Sequence, residues 1–583
     1  MTGPGTGPIG QAELERMVRA QVVRLAWRVV PALALLGVAV LIALLLVPDS
    51  SSPSDRVASA GTGATGAFQT GSAAVPGGAG SASPSPSIGE GSPGSSSVSG
   101  RVVATGSSTG SRGAAGGGPA LATGVSRGGV SCGAGARQVT WSKYAPDCVP
   151  AFHGSNGGVT SHGVTASSIT ITYRLANSTQ QAAIDSIAGG AVPQDGAYIQ
   201  DLDTFAKLFN KDFETYGRTV KIVPYQGQGD YVQEDSGQNL AGAQADAVTA
   251  SDKGGFADET FPITASQPYE EDLAGQKVIG LSGVGMPQSW YDQFAPYEYA
   301  YSPDGTKFAD WEVNLVCQRL AGMPAIFGGP DVSGRTRVFG MISPENPVYV
   351  QDANAVANGV KSGCGVSIAK RATYSIDVTQ FEEQATSIDA QMKTAGVTTV
   401  ICLCDPLMPI FLTQSADSQK WDPEWNPPDY FDPDGRLQSS DQWVHTIAFG
   451  GGSLPRAQTE AYRSFELADP GATPAEVYYF IAYYCMLQLF STIQAAGPDL
   501  TPGNFERAYF SLPPSLPGGD AGDWRYGTNN FTPESDATIG HWNPNAVSAE
   551  DGKKGAWQSC DEDRFYSFTD SSTWAPTHTQ LSC

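Results

Sequence analysis

Apolar residues follow two different rhythms along residues 336–405. Three short apolar runs are separated by two segments in which apolar residues recur every three or four positions. The apolar positions of the first segment are Tyr349, Ala353, Val356 and Val360, and those of the second are Phe381, Ala385, Ile388, Met392 and Ala395. Such spacing places side chains on one face of a helix. Short strands alternating with helices predict a βαβαβ unit with a parallel, buried sheet.

A comparable alternation precedes this unit. A turn that leads into a strand is predicted at 164–173, a helix at 198–215 and another strand at 220–225, and further elements follow up to residue 302. Residues 303–305 interrupt the pattern and are interpreted as a crossover between two lobes. A chain of 583 residues is too long for one compact core, so we predict an α/β protein with two lobes.

The ends of the predicted strands indicate where a ligand would bind. Open parallel sheets bind ligands beyond the carboxyl ends of their strands. Two such ends lie in the βαβαβ unit, at 343–346 and at 404–406.

Short segments of this region resemble a known family. Residues 345–349, the helix after them, residues 377–381 and the strand that ends at Asp405 resemble the second lobe of type 1 periplasmic binding proteins. The type resembled is the branched-chain amino-acid-binding type, the solute receptor of ABC importers. Asn346 and Tyr349 match an Asp-x-x-Tyr-Gly-like segment of the family, with Val350 in the place of the usual glycine.

The resemblance extends over about 163–557. Residues 163–165, Gly-Val-Thr, are similar to the opening segment of actinobacterial members, and 423–425, Pro-Glu-Trp, match a Pro-x-Trp segment. It implies a two-lobed type 1 fold with parallel sheets and an interlobe cleft. The strand at 444–449 is expected to return to lobe one.

The cleft residues follow from the strand ends and from the resemblance. The lobe-one candidates are Thr264, Ala265, Ser266, Ser282 and Gly283, because the family holds a ligand carboxylate with small and hydroxyl residues at equivalent loops. The lobe-two candidates are Glu345, Asn346, Tyr349 and Asp405. A carboxylate there could pair with an amino group, and Tyr349 could stack or donate a hydrogen bond. Each candidate could instead be a turn residue or a helix cap.

The N-terminus combines arginines with an uncharged apolar run. Four arginines precede the run, namely Arg16, Arg19, Arg24 and Arg28. The run 29–47 is long enough at about 1.5 Å per residue nearly to cross a ~30 Å hydrocarbon core. Since the arginines precede the run, residues 1–28 are predicted to be cytoplasmic, with 29–47 an uncleaved transmembrane helix. The alternative is a cleaved signal peptide, although 58–60 lies far along for its cleavage site. No lipobox-like cysteine follows the run.

The segment 48–131 consists mainly of Gly, Ser, Ala, Thr and Pro. It cannot bury enough apolar surface to offset the entropy of ordering, so it is predicted to be a disordered linker. The remaining residues, 132–583, are predicted to form the bilobal extracellular solute-binding domain.

Charge and cysteine content narrow the class of protein. The net charge of −24 argues against nucleic-acid binding.

In an oxidising compartment the nine cysteines predict three disulfides, Cys132–Cys148, Cys317–Cys364 and Cys560–Cys583. Of the other three, Cys402 and Cys404 share a strand face, so at most one easily meets Cys485. No CxxC pair occurs and the five histidines are scattered, so neither a metal site nor a cofactor is predicted.

Catalytic signatures are absent from the sequence, and we do not predict an enzyme. The segment 280–284 lacks the final glycine of a GxSxG elbow, and the pairs at 270–271 and 382–383 are interpreted as exposed helix positions. The favoured hypothesis is a cell-membrane receptor that captures a small polar, amino-acid-like ligand. Its partner would be an ABC permease or a membrane sensor. The alternatives are an extracellular hydrolase and a ligand-free cell-surface scaffold.

Overall fold

The protein is described from a computed structural model. The described residues are 123–177, 179, 182, 194–262, 264–283, 285–427, 434–450, 454–475, 477–549 and 552–583. The predicted cytoplasmic segment, the predicted transmembrane helix 29–47 and most of the predicted linker lie outside these residues. Within the described part, no helix has both the length and the apolar character that a bilayer span requires.

The strands and helices are given in chain order. The strands are β1 Gly124–Val125, β2 Ser131–Cys132, β3 Ser168–Leu175, β4 Thr219–Gln226, β5 Ala257–Asp258, β6 Ile279–Gly280, β7 Phe339–Pro344, β8 Lys370–Tyr374, β9 Thr399–Cys402, β10 Glu424–Asn426, β11 Ala448–Gly450, β12 Asp536–Val547, β13 Lys554–Ser559 and β14 Tyr566–Ser567. The helices are α1 Asp195–Asp212, α2 Tyr231–Asp235, α3 Leu240–Asp252, α4 Gln267–Gly275, α5 Gln288–Phe294, α6 Gly305–Asn314, α7 Pro347–Cys364, α8 Phe381–Thr394, α9 Met408–Gln419, α10 Ser440–Trp443, α11 Glu460–Ala468, α12 Tyr479–Ala496 and α13 Pro502–Phe510. The antiparallel pair β1–β2 includes the last residues of the predicted linker.

Lobe one is built on a parallel sheet with the strand order β4–β3–β5–β6. Its central strand β3 is buried on both faces, as expected of a parallel strand covered by helices. The apolar helix α12 packs on α1 through aromatic pairs, with ring centroids 5.2 Å apart for Phe205 and Tyr483 and 5.4 Å apart for Phe209 and Phe490. Helices from distant parts of the chain therefore share the core of this lobe.

Lobe two contains the predicted βαβαβ unit. Strands β7, β8 and β9 with helices α7 and α8 form it, and the parallel sheet has the order β10–β9–β7–β8. The buried residues of α7 include Ala353, Val356 and Val360, and those of α8 include Phe381 and Met392, as the periodicity predicts. The predicted fold class, α/β with parallel sheets, is confirmed.

The third sheet corrects one sequence-based prediction. Strand β11 pairs antiparallel with β12, which also pairs with β13 and β14. Ile447 and Phe449 pack with Ile401 and Leu403 of lobe two, so the strand predicted to return to lobe one stays with lobe two. The reason is the long strand β12, which offers hydrogen-bonding partners on the lobe-two side. The chain re-enters lobe one only at α11.

All nine cysteines lie in the described part of the chain, and eight of them form disulfides. Cys132–Cys148, Cys317–Cys364 and Cys560–Cys583 pair as predicted. Cys402 and Cys404 pair with each other, and Cys485 is free and buried. The sequence left the pairing of these three cysteines open, and β9 ends at Cys402. The chain then turns and brings the Cα atoms of Cys402 and Cys404 to 5.1 Å, within bridging distance.

A buried ion pair ties the strands of lobe two together. The Arg337 guanidinium donates from Nε and Nη2 to the two carboxylate oxygens of Glu424 at 2.8 and 2.9 Å. Thr399 and the backbone N–H groups of Ile326 and Phe327 also donate to this carboxylate. Both charged side chains are buried, so neither can turn to water.

We expect Glu424→Ala to destabilise the protein strongly. The substitution leaves the Arg337 charge buried without its counter-charge, which costs about 3–5 kcal/mol. Urea denaturation followed by tryptophan fluorescence measures the change in the free energy of unfolding.

Arg525→Ala is the matched control, because the Arg525 side chain is 67% exposed beside Asp523. We expect it to change the free energy of unfolding by less than about 0.5 kcal/mol. Equal effects of the two substitutions would contradict the assigned importance of the buried pair.

Candidate functional site

A cavity of about 240 Å³ lies between the two lobes. Most of its wall is apolar, including Phe261, Met286, Phe308, Phe381, Leu403 and Ile481. Its polar wall includes Tyr231, Asp235, Tyr301, Ser302, Tyr349 and Asp352. An apolar pocket with a few converging polar groups is the usual form of a small-ligand site, although this volume is slightly below the usual range.

Lobe two contributes the segments that follow its parallel strands. Tyr349 and Asp352 lie on α7, which follows β7, and Ile376 and Val378 follow β8. Residues 403–407 follow β9. The cavity therefore lies beyond the carboxyl ends of the lobe-two strands, where an open parallel sheet is expected to bind a ligand.

Lobe one contributes the loop after β5, the short helix α2 and the crossover before α6. Phe261, Pro262 and Ala265 come from the loop, and Tyr231 and Asp235 begin and end α2. Tyr231 also packs in the lobe-two core with Ile342 and Tyr374, so α2 bridges the lobes beside the cavity.

Three of the nine predicted ligand-binding residues border the cavity, namely Ala265, Tyr349 and Asp405. The Tyr349 hydroxyl makes no hydrogen bond to a described residue. Burial raises its pKa, and the neighbouring carboxylates of Asp235, Asp405 and Asp352 raise it further. Tyr349 therefore lies among the acidic residues of the cavity wall.

Four predicted residues in lobe one have their polar groups engaged inside that lobe. Thr264 donates to the Phe261 carbonyl, and Ser282 donates to the Thr260 carbonyl. Ser266 caps α4 and donates to Glu234, and the Gly283 carbonyl accepts from the Tyr291 hydroxyl. None of the four is part of the cavity wall.

The remaining two predicted residues, Glu345 and Asn346, also lie outside the cavity wall. Helix α7 begins at Pro347, so the Glu345 side chain precedes the helix and is exposed. Asn346 donates from Nδ2 to the backbone carbonyl of Asp235 across the lobe boundary. Its observed contact joins the two lobes.

Asp405 caps a helix at the edge of the cavity. Its carboxylate accepts from the Tyr374 hydroxyl at 2.6 Å and from the N–H groups of Leu407 at 2.8 Å and Met408 at 3.3 Å. Burial raises the pKa of Asp405, and the hydrogen bond from Tyr374 opposes that rise. Removing this carboxylate would leave buried donors unpaired, each at a cost of about 1–3 kcal/mol.

Asp235 has one engaged carboxylate oxygen. Its Oδ1 accepts from the backbone N–H of Gln267 at 3.1 Å. Burial raises the pKa of Asp235 to about 7, the hydrogen bond from Gln267 lowers it, and the charges of Glu234 and Asp405 raise it.

Asp352 is the acidic residue of the cavity wall that lacks partners. The residue is 8% exposed and its carboxylate accepts no hydrogen bond from the described residues. Burial, followed by repulsion from Asp304, raises its pKa to about 7. A carboxylate held in a mostly apolar wall without a donor is costly, and the cavity is the direction from which a donor could come.

Sequence reasoning missed the two acidic residues Asp235 and Asp352. Asp352 follows Tyr349 by three residues, so the same helical periodicity places both on one face and could have found it. Helix α2 has only five residues, which is too short for a periodic signal, and Asp235 could not have been found in this way.

The pair Glu270 and Glu298 corrects another interpretation. Glu270 was expected to be exposed, yet both residues are buried, and a Cβ atom on Gly280 would lie 2.1 Å from Oε2 of Glu270 and 2.4 Å from Oε2 of Glu298. Burial raises the pKa of Glu270 to about 8, and burial followed by the charge of Glu270 raises the pKa of Glu298. They lie inside lobe one and not in the cavity wall.

Among the described residues of the cavity wall there is no histidine, lysine or arginine to act beside a nucleophile.

Comparisons with known proteins identify the fold. No protein-family model matches the chain, and no curated protein matches it. A substrate-binding protein of an ABC transporter from Aeropyrum pernix matches with a TM-score of 0.50 and 12% identity, over 70% of this chain and 98% of that chain. The chain therefore has the fold of type 1 periplasmic binding proteins, and the resemblance seen in the sequence is confirmed at the level of the fold.

Two further solved structures are similar. The leucine-, isoleucine-, valine-, threonine- and alanine-binding protein from Brucella ovis matches with a TM-score of 0.47 and 13% identity, over 71% of this chain and 98% of that chain. A fatty acid ABC transporter substrate-binding protein from Thermomonospora curvata matches with a TM-score of 0.49 and 11% identity, over 72% of this chain and 100% of that chain.

We expect Asp352→Asn to stabilise the ligand-free protein at pH 8 but not at pH 4. The folded protein holds the Asp352 proton up to about pH 7, whereas the unfolded chain releases it near 3.8, so wild-type stability falls as the pH rises through that window. Asparagine carries no charge and removes this loss. The variant should gain about 1–3 kcal/mol relative to wild type between pH 4 and pH 8.

The control for a change of charge alone is Asp331→Asn at an exposed position. Urea denaturation at a series of pH values measures the free energy of unfolding of all three proteins. A constant difference between wild type and Asp352→Asn at every pH would show that the carboxyl is not destabilised by its burial.

Proposed function

We propose that this chain is an extracytoplasmic solute-binding receptor that captures a small polar, amino-acid-like ligand between its lobes. The observation that carries the proposal is the interlobe cavity, whose wall is supplied by both lobes. A ligand held there contacts residues that meet only when the lobes are closed, so binding favours the closed arrangement. The type 1 fold supports this function by analogy.

The partner that we propose is an ABC permease or a membrane sensor. Some solved structures that match this chain are named as ABC transporter substrate-binding proteins, and one is named for the amino acids that it binds. These names suggest the class of function. The ligand of this chain is argued separately from its own cavity.

We also propose a location at the outer face of the cell membrane. The uncharged run 29–47 would anchor the chain with its N-terminus in the cytoplasm. The four disulfides fit an oxidising compartment, since such bonds are rare in the cytosol.

The direct test is calorimetry of the purified full chain against a panel of amino acids and small solutes. Binding of one member without its turnover, together with compaction in small-angle scattering, is the expected result. Turnover would favour the hydrolase alternative, and no binding at all would favour a ligand-free scaffold.

We expect Tyr349→Ala to weaken binding of that ligand about threefold to tenfold, because an aromatic contact contributes about 0.5–1.5 kcal/mol. Tyr462→Ala is the matched control, since Tyr462 is also half-buried but packs on Tyr479 and Arg456 in lobe one. Calorimetry measures both variants. Equal affinities for Tyr349→Ala and wild type would remove Tyr349 from the site.

A further inference from the structure

The charges in the cavity wall are of one sign. The described residues of the wall include Asp235, Asp352 and Asp405 but no lysine, arginine or histidine. Two basic residues near the wall segments are engaged elsewhere. Arg174 pairs with Glu234 and Asp246 inside lobe one, and Lys307 bonds to Asn530 and Thr532 and pairs with Asp304. A ligand anion would therefore enter a site that offers it no cationic side chain.

The loop that could hold an anion is already occupied by carboxylates of the chain itself. The backbone N–H of Gln267, in the first turn of α4, donates to Asp235 at 3.1 Å. The hydroxyl of Ser266, the cap of the same helix, donates to Glu234. The N-terminus of a helix is a favourable place for a negative charge, and here the protein supplies that charge. A second carboxylate, from a ligand, would meet both repulsion and a loss of free donors.

The free groups of the wall are acceptors that could bind a donor. The Asp352 carboxylate is buried without a partner, and only one of the two oxygens of Asp235 is engaged. The buried Ser302 hydroxyl also has no hydrogen-bond partner among the described residues. An ammonium group is the donor that satisfies carboxylates best, because such charge-assisted bonds are about twice as strong as neutral ones.

We propose that this receptor recognises a small organic cation, with an ammonium group against Asp352 and Asp235 and an apolar body against the aromatic wall. This inference rests on the proposed function and specifies its ligand. The apolar body is accommodated by Phe261, Phe308 and Phe381. A free carboxylate on the ligand weakens binding, so the ligand is an amine or an amino-acid derivative whose carboxyl group is masked.

The test is calorimetry of the full chain with four compounds that share a branched apolar body. Leucinamide and 3-methylbutylamine are cations, leucine is a zwitterion and 4-methylpentanoate is an anion. We expect both cations to bind, leucine to bind at least tenfold more weakly than leucinamide, and 4-methylpentanoate to show no measurable binding.

Two variants test whether Asp352 is the residue that selects a cationic ligand. We expect Asp352→Asn to weaken leucinamide binding at least tenfold, and the exposed control Asp331→Asn to leave it unchanged. Circular dichroism checks that both variants are folded. Full-strength binding of leucinamide to the folded Asp352→Asn variant would overturn the assignment of the ammonium group to Asp352.

The outcomes separate this inference from the proposed function. Leucine or 4-methylpentanoate binding as tightly as leucinamide overturns the inference and leaves the receptor function standing. The four compounds could fail to bind while a member of the solute panel binds. In that case the inference is supported if that member is a cation and overturned if it is an anion or a zwitterion. Failure of every compound contradicts both.

Discussion

The structure depends on how each buried charge is balanced. At two places inside the lobes the balance is internal, because Arg174 lies between Glu234 and Asp246, and Arg337 is held by Glu424. These pairs allow charged side chains to lie in well-packed interiors, where an unpaired charge would be strongly destabilising. The wall of the interlobe cavity differs from these two places, since it contains Asp235, Asp352 and Asp405 but no base among its described residues. In the proposed receptor, a cationic ligand supplies the missing positive charge.

In the proposed receptor, this arrangement would couple ligand binding to lobe closure. The lobes meet through Asn346, which donates to the carbonyl of Asp235, and through Tyr231, which packs in the core of lobe two. Gln351 on α7 also bonds to Ser289 on α5, at an exposed edge. A cation that bridges acidic groups of the two lobes binds only the closed state, and that difference in affinity is what shifts the equilibrium.

The sequence predicted the fold better than the site. Periodicity alone defined the βαβαβ unit and brought Tyr349 to the cavity, because a regular helix places residues by spacing. It failed where position depends on element boundaries or tertiary packing. Glu345 lies just before the start of α7 and faces solvent, whereas Asp352 lies about two turns further and reaches the cavity. Glu270 looks like a solvated helix residue in the sequence, yet it is buried close to Glu298, a neighbour that no local pattern indicates.

The most direct measurement is a crystal structure of the protein with the tightest-binding compound. The account predicts electron density in the cavity beside Tyr349, with the ligand nitrogen about 2.7–2.9 Å from a carboxylate oxygen of Asp352, as for a charge-assisted hydrogen bond. It also predicts that the apolar body lies against Phe261 and Phe381. Density outside the cavity, or a ligand carboxylate or other anionic group placed nearest Asp352, would contradict the account.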